Sequence, residues 1–290
     1  MQEIALPKNV NFKKGETNNE GVITIEPCYP GYGTTIGNSL RRVLLSSLPG
    51  AAVVGVKIEG VEHEFMNLPH VKEDILNIIL NLKELRLKIY TDEEVKLELN
   101  VAGEKEVKAE DIKKNSDVEI VNPDLVLANI TDMAGSLKME IYAARGRGYR
   151  TIEGIEDKKK EIGYIDMDSI FSPVVSVGLN VEDMRVGKMT NWEKLTLDIA
   201  TDGTITPQEA FEQSVNIMIS QYGALVDRDL EEIKEEVKTK REEDAKKEKE
   251  AEEDSEESEE EKSEKEQGES SSSSEADGEK KKRGRPKKSE

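Results

Sequence analysis

Few residues of this 290-residue chain could do chemistry, and most of those lack the partners that chemistry requires. The glycines of "GYGTTIG", Gly31 to Gly37, have the look of a phosphate-cradling loop, but no lysine follows them and the Walker pattern fails. His63 opens "HEFMN" with no second histidine four residues on, and His70 is the only other histidine, too few for a metal cluster. Asp166 and Asp168 of "DMD" are two carboxylates without further ligands, a weak metal signal. Cys28 is the single cysteine, which excludes an internal disulfide and any multi-cysteine zinc site. Trp192 and its neighbours read as packing. The sequence therefore predicts no catalytic residue, no cofactor and no metal in this chain. Recognition chemistry remains, and its first candidates are the adjacent Arg41 and Arg42, each a rigid fork of donors suited to carboxylates and carbonyls.

The element that must position them is "GTTIGNSLRRVLLSSLPG", Gly33 to Gly50, which reads as one amphipathic helix. At about 100° per residue, Ile36, Leu40, Val43, Leu44 and Leu48 share a broad apolar face. Asn38, Arg42 and Leu45 lie together on the far side, and Arg41 falls near Leu48 at the rim. An arginine ordinarily occupies a solvated face and a lone surface leucine is common. The other reading is a second interface, because a helix that covered only its own core would need no leucine there.

A second helix closes the apolar part of the chain. Thr206, Pro207 and Glu209 supply an N-cap, a first-turn proline and the third-position glutamate of a capping box. Phe211, Val215, Met218, Ile219, Tyr222, Leu225 and Val226 then fall on one side, a stripe that suits either the chain's own core or a helix–helix interface between subunits. "VKEDILNIILNLKEL", Val71 to Leu85, has helical spacing. "GVITIEP" is a strand stopped by its proline, "AAVVGVKIEGVEHEF" a strand pair, and "EVKLELNV", "DVEIVNPDLVLANI", "LKMEIYAARG" and "KLTLDIAT" are strands with period-two alternation, the last closed by Gly203. The sum is an α+β fold with antiparallel strands.

Composition sets the remaining bounds. From Asp229 to Glu279 there are 24 acidic and 9 basic residues, a net charge of −15, and no aromatic residue follows Tyr222. Such a segment cannot bury enough apolar surface to offset the entropy of ordering, and it is expected to be disordered. Seven basic residues then occupy Lys280 to Lys288. No apolar run reaches the roughly 18 residues that span a bilayer, and the N-terminus lacks a signal-peptide core, so a cytoplasmic protein is expected.

The run "EPCYPGYGTTIGNSLRRVLLSSLPGAAVVGVKIEGVEHEF", then "VKEDILNIILNLKEL", "RGRGY", "IFSPV", "RVGKMTNWEKLTLDIATDGTITPQEAF" and "LVD" resembles, in order from about Ile4 to Arg228, the N-terminal domain of the bacterial RNA polymerase alpha subunit. The resemblance implies a homodimer that serves as the assembly platform for the beta and beta-prime subunits of a nucleotidyltransferase and is itself non-catalytic. It implies a dimer interface on the two apolar helices: Ile36, Leu40, Val43, Leu44 and Leu48 with Phe211, Val215, Met218, Ile219, Tyr222 and Leu225. Arg42 and Leu45, with Asn38 on the same face, match the contact for beta, and Lys83 and Met167 match regions implicated in contact with beta-prime. The implied layout is a discontinuous dimerisation domain, residues 1–49 and 172–228, of helices and antiparallel sheet, interrupted by an inserted β-rich domain, 50–171. A disordered charged tail, 229–290, completes it.

The resemblance stops near Arg228, where the family continues through a flexible linker into a small helical domain that binds upstream promoter DNA. Here the acidic tail takes that place and ends in "KKKRGRPKK". Arg283, Gly284, Arg285 and Pro286 form the core of an AT-hook at residues 280–288: glycine permits close approach to the narrow minor groove of A·T-rich DNA, the arginines suit its negative potential, and lysines reach phosphates. A charged solubilising tip is the plainer reading of the same residues. A different function class also fits, a dimeric AT-hook DNA-binding protein that is not part of a polymerase.

Overall fold

Short links between apolar runs predict antiparallel ladders, and every strand pair among the described residues is antiparallel. A computed structural model of the chain describes residues 4–152 and 163–225, together with Glu235 and Thr239. In chain order the elements are β1 (Asn9–Lys14), β2 (Glu20–Cys28), α1 (Tyr32–Ser46), β3 (Pro49–Ile58), α2 (Ile75–Lys83), β4 (Leu87–Ile89), β5 (Val95–Ala102), β6 (Lys105–Lys108), β7 (Val118–Ile120) and β8 (Val126–Ile130). They continue with β9 (Ser136–Arg147), β10 (Tyr149–Arg150), β11 (Tyr164–Asp166), β12 (Ser169–Ile170), β13 (Val174–Val186), β14 (Met189–Thr201) and α3 (Pro207–Ala224).

One four-stranded sheet has the order β1-β2-β14-β13 and joins the two ends of the described chain; a second, β11-β3-β9-β5, is built from its middle. Each has its own apolar cluster. Ile23, Ile25, Leu40, Leu44, Leu48, Leu195 and Leu197 centre the first, with α1 and α3 over the sheet. Val56, Ile58, Ile78, Leu82, Leu127 and Ile141 centre the second, capped by α2. Such closed apolar clusters under a sheet are what the α+β pattern requires.

Several expected boundaries are corrected. The first helix ends at Ser46, not Gly50, so Leu48 is not helical. Pro49 biases the residue before it away from the helical region, and the Ser47 N–H closes the last turn on the Val43 carbonyl at 2.9 Å. Ala51 to Phe65 is one strand followed by a loop, not a strand pair. Residues 52–56 of β3 are buried in succession because apolar clusters lie on both of its faces, which erases the alternation of a half-buried strand. The strand over "GVITIEP" runs through Pro27 to Cys28: the proline lies beyond the end of β1 and at an irregularity in the β2–β14 ladder, where its missing donor is not needed. The second helix is also shorter than Val71 to Leu85, because Val71 instead bridges Ile130 and Asp74 supplies an extended N-cap.

A carboxylate fixes that helix start. Glu73 accepts from the Asn129 backbone N–H and from its side-chain amide, both at 2.7 Å, tying the entry of α2 to β8. Burial works against the charge, but the two Asn129 donors outweigh it and hold the Glu73 carboxyl below its ordinary 4.5. A depressed folded value means stability that is present above the unfolded value and lost as the pH falls through the folded one. Glu73→Gln is accordingly expected to cost about 1–3 kcal/mol at pH 7, and the gap to the parent should narrow in urea melts below about pH 4. A gap that stays constant into acid would contradict this assignment.

Val226 and the residues of the tail, including Arg283, Gly284, Arg285 and Pro286, lie outside the described residues. Within 229–290 the exceptions are Glu235 and Thr239, both helical, with the Thr239 hydroxyl donating to the Glu235 carbonyl at 3.1 Å. The bond is the side-chain version of the helical i to i−4 register.

Candidate functional site

Helix α1 is built with three faces. Its core line is Gly33, Gly37, Leu40 and Leu44, all buried. The two glycines let the helix sit against the β13–β14 hairpin: a Cβ at Gly37 would come within 2.4 Å of Leu179 Cδ1 and 2.8 Å of Leu195 Cδ1. Close approach of backbone to sheet, not phosphate binding, is what "GYGTTIG" provides. The helix start is already filled by an anion from 160 residues away, since the Gly31 and Gly33 N–H groups donate to the Glu193 carboxylate at 2.6 and 2.8 Å. This carboxylate satisfies orphan donors and complements the helix dipole. Burial first, and the same Glu193 carboxylate second, push the thiol of the buried Cys28 upward, which keeps it protonated. Glu193→Ala is expected to destabilise the chain by about 1–2 kcal/mol, read as a lower urea midpoint at unchanged slope.

The second face holds Ile36 and Val43, half-buried and about a quarter turn from the core line. Helix α3 shows the same division. Thr206 caps it as the sequence predicts, its hydroxyl accepting from the Glu209 N–H at 3.2 Å while its own N–H donates to the Glu209 carboxylate at 3.0 Å. Its buried positions are the small ones, Pro207, Ala210, Ser214 and Gly223. The stripe read from the sequence is turned away from that line: Phe211, Val215, Met218 and Ile219 are half-buried, Tyr222 is 56% exposed and Leu225 81%. Helices α1 and α3 pack on each other, so the half-covered residues of both edge one surface. Leu40, Leu44 and Leu48 do not belong to that surface. They lie in the chain's own core, and their assignment as direct interface residues is corrected: the 100° wheel joined two adjacent faces into one broad one.

The third face is polar with one leucine. Asn38, Arg41 and Arg42 are exposed, and Leu45 is 37% exposed. Asn38 Nδ2 donates to the Thr34 carbonyl at 3.0 Å, and the Ser46 hydroxyl donates to the Arg42 carbonyl at 2.8 Å. Neither arginine has an ion-pair partner among the described residues. The Arg42 guanidinium therefore stands ready beside Leu45, a charged fork next to an apolar projection.

Lys83 and Met167, 84 positions apart, are brought together. Lys83 ends α2, and its Nζ lies 3.8 Å from the Asp168 carboxylate, which also accepts from the Ile152 N–H at 2.9 Å. Met167 is 1% exposed and packs in the core under α2, so its assignment as a direct contact is corrected: its neighbour Asp168, not Met167 itself, meets the surface beside Lys83. Asp166 sits on β11, and Asp168 is held in this polar cluster, so "DMD" is used structurally. His70 Nδ1 lies 3.3 Å from Asp132, and His63 Nδ1 accepts from the Phe65 N–H at 3.3 Å. Among the described residues no three metal-ligating side chains converge, and no helix is long and apolar enough to cross a membrane.

A family model described as the RNA polymerase Rpb3/RpoA insert domain matches residues 56–172. The chain is 48% identical over 246 residues to the DNA-directed RNA polymerase subunit alpha of Macrococcus caseolyticus, an alignment spanning 85% of this chain and 78% of that one. It is 46% identical over 246 residues to the subunit of the same name from Oceanobacillus iheyensis, and 47% identical over 247 residues to that of Carboxydothermus hydrogenoformans, with the same coverage. At such identity over most of both chains, with the insert matched between the two halves of the end-to-end sheet, this chain belongs to the family of bacterial DNA-directed RNA polymerase alpha subunits.

Proposed function

We propose that two copies of this chain dimerise and form the platform on which the beta and beta-prime subunits of the polymerase assemble. The observation that carries this is the three-way division of α1: one face in the core, one half-covered beside α3, one exposed with Leu45 and an Arg42 that has no ion-pair partner among the described residues. Ile36, Val43, Phe211, Val215, Met218, Ile219, Tyr222 and Leu225 face the sister chain, where an incompletely covered apolar stripe finds its partner. Arg42 and Leu45, flanked by Asn38, meet beta, and Lys83 with Asp168 beside it meets beta-prime. Residues 1–49 and 172–228 form the dimerisation domain and 50–171 the insert, a division supported by the two separate apolar clusters. The chain is a non-catalytic part of a cytoplasmic nucleotidyltransferase, with polymerisation carried out by the large subunits. Affinity purification of the full chain from co-expression with both large subunits tests this, since recovery of the chain without them would refute the platform role.

The basic tip favours a further role for the same subunit. The tail carries Arg283, Gly284, Arg285 and Pro286 to A·T-rich promoter DNA, while the acidic stretch before them tethers the tip and suppresses non-specific binding. Footprints of upstream A·T-rich DNA with holoenzyme, with and without residues 280–290, should differ, and binding should weaken steeply with salt. Identical footprints would refute the tip's role. A stand-alone AT-hook protein is the poorer reading, because it leaves the exposed faces of α1 and α2 without use.

A further inference from the structure

Resting on the reading above, we propose that the surface begun by Arg42 and Leu45 continues onto the β10–β12 ribbon, where Tyr149 and Ile170 form a second, apolar half of the contact with the beta subunit. Tyr149 and Ile170 stand directly opposite each other in register and are 60% and 54% exposed. The alternate pair turns inward: Arg150 lies 5.5 Å over the Phe171 ring, and the Ser169 hydroxyl donates to the Val53 carbonyl at 2.7 Å. A two-residue ribbon with its aromatic and β-branched side chains facing water gains little from that pair alone. Exposed apolar residues grouped in this way mark an interaction surface.

The ribbon adjoins the end of α1. A Cβ at Gly148 would lie 3.4 Å from the Ser46 carbonyl oxygen, and Ser46 directly follows Leu45 and binds the Arg42 carbonyl through its hydroxyl. The ribbon is also held before any partner arrives. The Phe171 N–H donates to the Gly148 carbonyl at 2.8 Å, and Asp168 accepts from the Ile152 N–H at 2.9 Å beside the Lys83 ammonium. A tyrosine on a backbone held in this way presents a large amphipathic ring, the side-chain type enriched in interface cores. The occupant it fits offers an apolar pocket for the ring and a carboxylate or carbonyls within reach of Arg42. That is the chemistry already assigned to the Arg42 contact, and the approach of Gly148 to Ser46 joins the ribbon to the end of α1 that carries it, so one partner covers both.

The test uses the full chain co-expressed with recombinant beta subunit, in three forms: the parent, Arg42→Ala, and the pair Tyr149→Ser with Ile170→Thr. The expected result is a loss of beta binding of about tenfold or more in both variants with self-association unchanged. In the parent, addition of beta should slow amide exchange at residues 147–150 and 169–171. If Arg42→Ala loses beta while the ribbon variant binds as the parent does, the ribbon proposal is overturned and the Arg42 reading stands. Full binding by both variants overturns both. Should the ribbon variant melt early, exchange in the parent decides alone, and unchanged exchange overturns the proposal.

Discussion

Leu44→Asp is expected to unfold the chain, whereas Val215→Asp is expected to leave it folded and abolish its self-association. The two residues look equivalent on a helical wheel, as apolar positions of amphipathic helices. Leu44 is 0% exposed, packed between α1 and the β2–β14 sheet, and no cation among the first cluster's residues could pair with a carboxylate there. An unpaired buried charge costs at least about 3–5 kcal/mol, to which the lost leucine burial adds about 2 kcal/mol. That total rivals the 5–15 kcal/mol by which whole domains are stable, so a broad, early thermal transition should be seen. Val215 stands on the half-covered face of α3, where one chain alone leaves room and water for a carboxylate. In a two-fold dimer the substitution acts on both copies, and desolvating it across the interface should raise the dissociation constant by about 100-fold or more. Sedimentation velocity combined with circular dichroism separates the outcomes. A folded Leu44→Asp monomer, or a Val215→Asp dimer, would contradict this division of faces.

That division also shows what the sequence could and could not convey. The capping box of α3 was legible because Thr206, Pro207 and Glu209 act within one turn, and local signals survive any tertiary context. Helix α1 was legible as an element, but its three faces were not. A wheel separates apolar from polar residues; it cannot tell the core from a neighbouring subunit, and only the packing of Gly33 and Gly37 against β13 and β14 fixes the rotation. The glycines themselves were open to a ligand-loop reading because their partner, Glu193, lies 160 residues away. Strand β13 was missed although Val177, Leu179 and Val181 alternate, because an irregularity between Val174 and Ser176 breaks the period at its start. Strand β1 carried no period at all, since only Phe12 is half-buried, lying over Gly21, and the rest of this edge strand is exposed. Met167 illustrates the limit of a residue-by-residue correspondence: tertiary packing buries the methionine at 1% exposure, while its neighbour Asp168 lies at the surface beside Lys83.

Arg42→Ala should separate assembly from folding most cleanly. The side chain is exposed and makes no ion pair with a described residue, and the Ser46 hydroxyl binds its backbone carbonyl, which alanine retains. Stability should therefore change by no more than about 0.5 kcal/mol, and the dimer should be unaffected because Arg42 lies roughly 100–120° around α1 from Ile36 and Val43. The effect on the large subunit should be far greater. An exposed guanidinium beside a half-exposed leucine is the composition of an interface anchor, and removing such an anchor costs about 2–4 kcal/mol, or roughly 30-fold or more in affinity. The chemistry adds a second, sharper expectation. If Arg42 forms paired hydrogen bonds with a partner carboxylate, lysine cannot reproduce the fork, and Arg42→Lys should lose most of the binding that Arg42→Ala loses. If Arg42 served only as a distant charge, lysine would restore binding and the loss would fade with salt. Titration of purified beta subunit against the three chains at low and high salt measures both. Undiminished binding by Arg42→Ala would remove Arg42 from the interface, and full rescue by lysine would reduce its role from a hydrogen-bonded anchor to a steering charge.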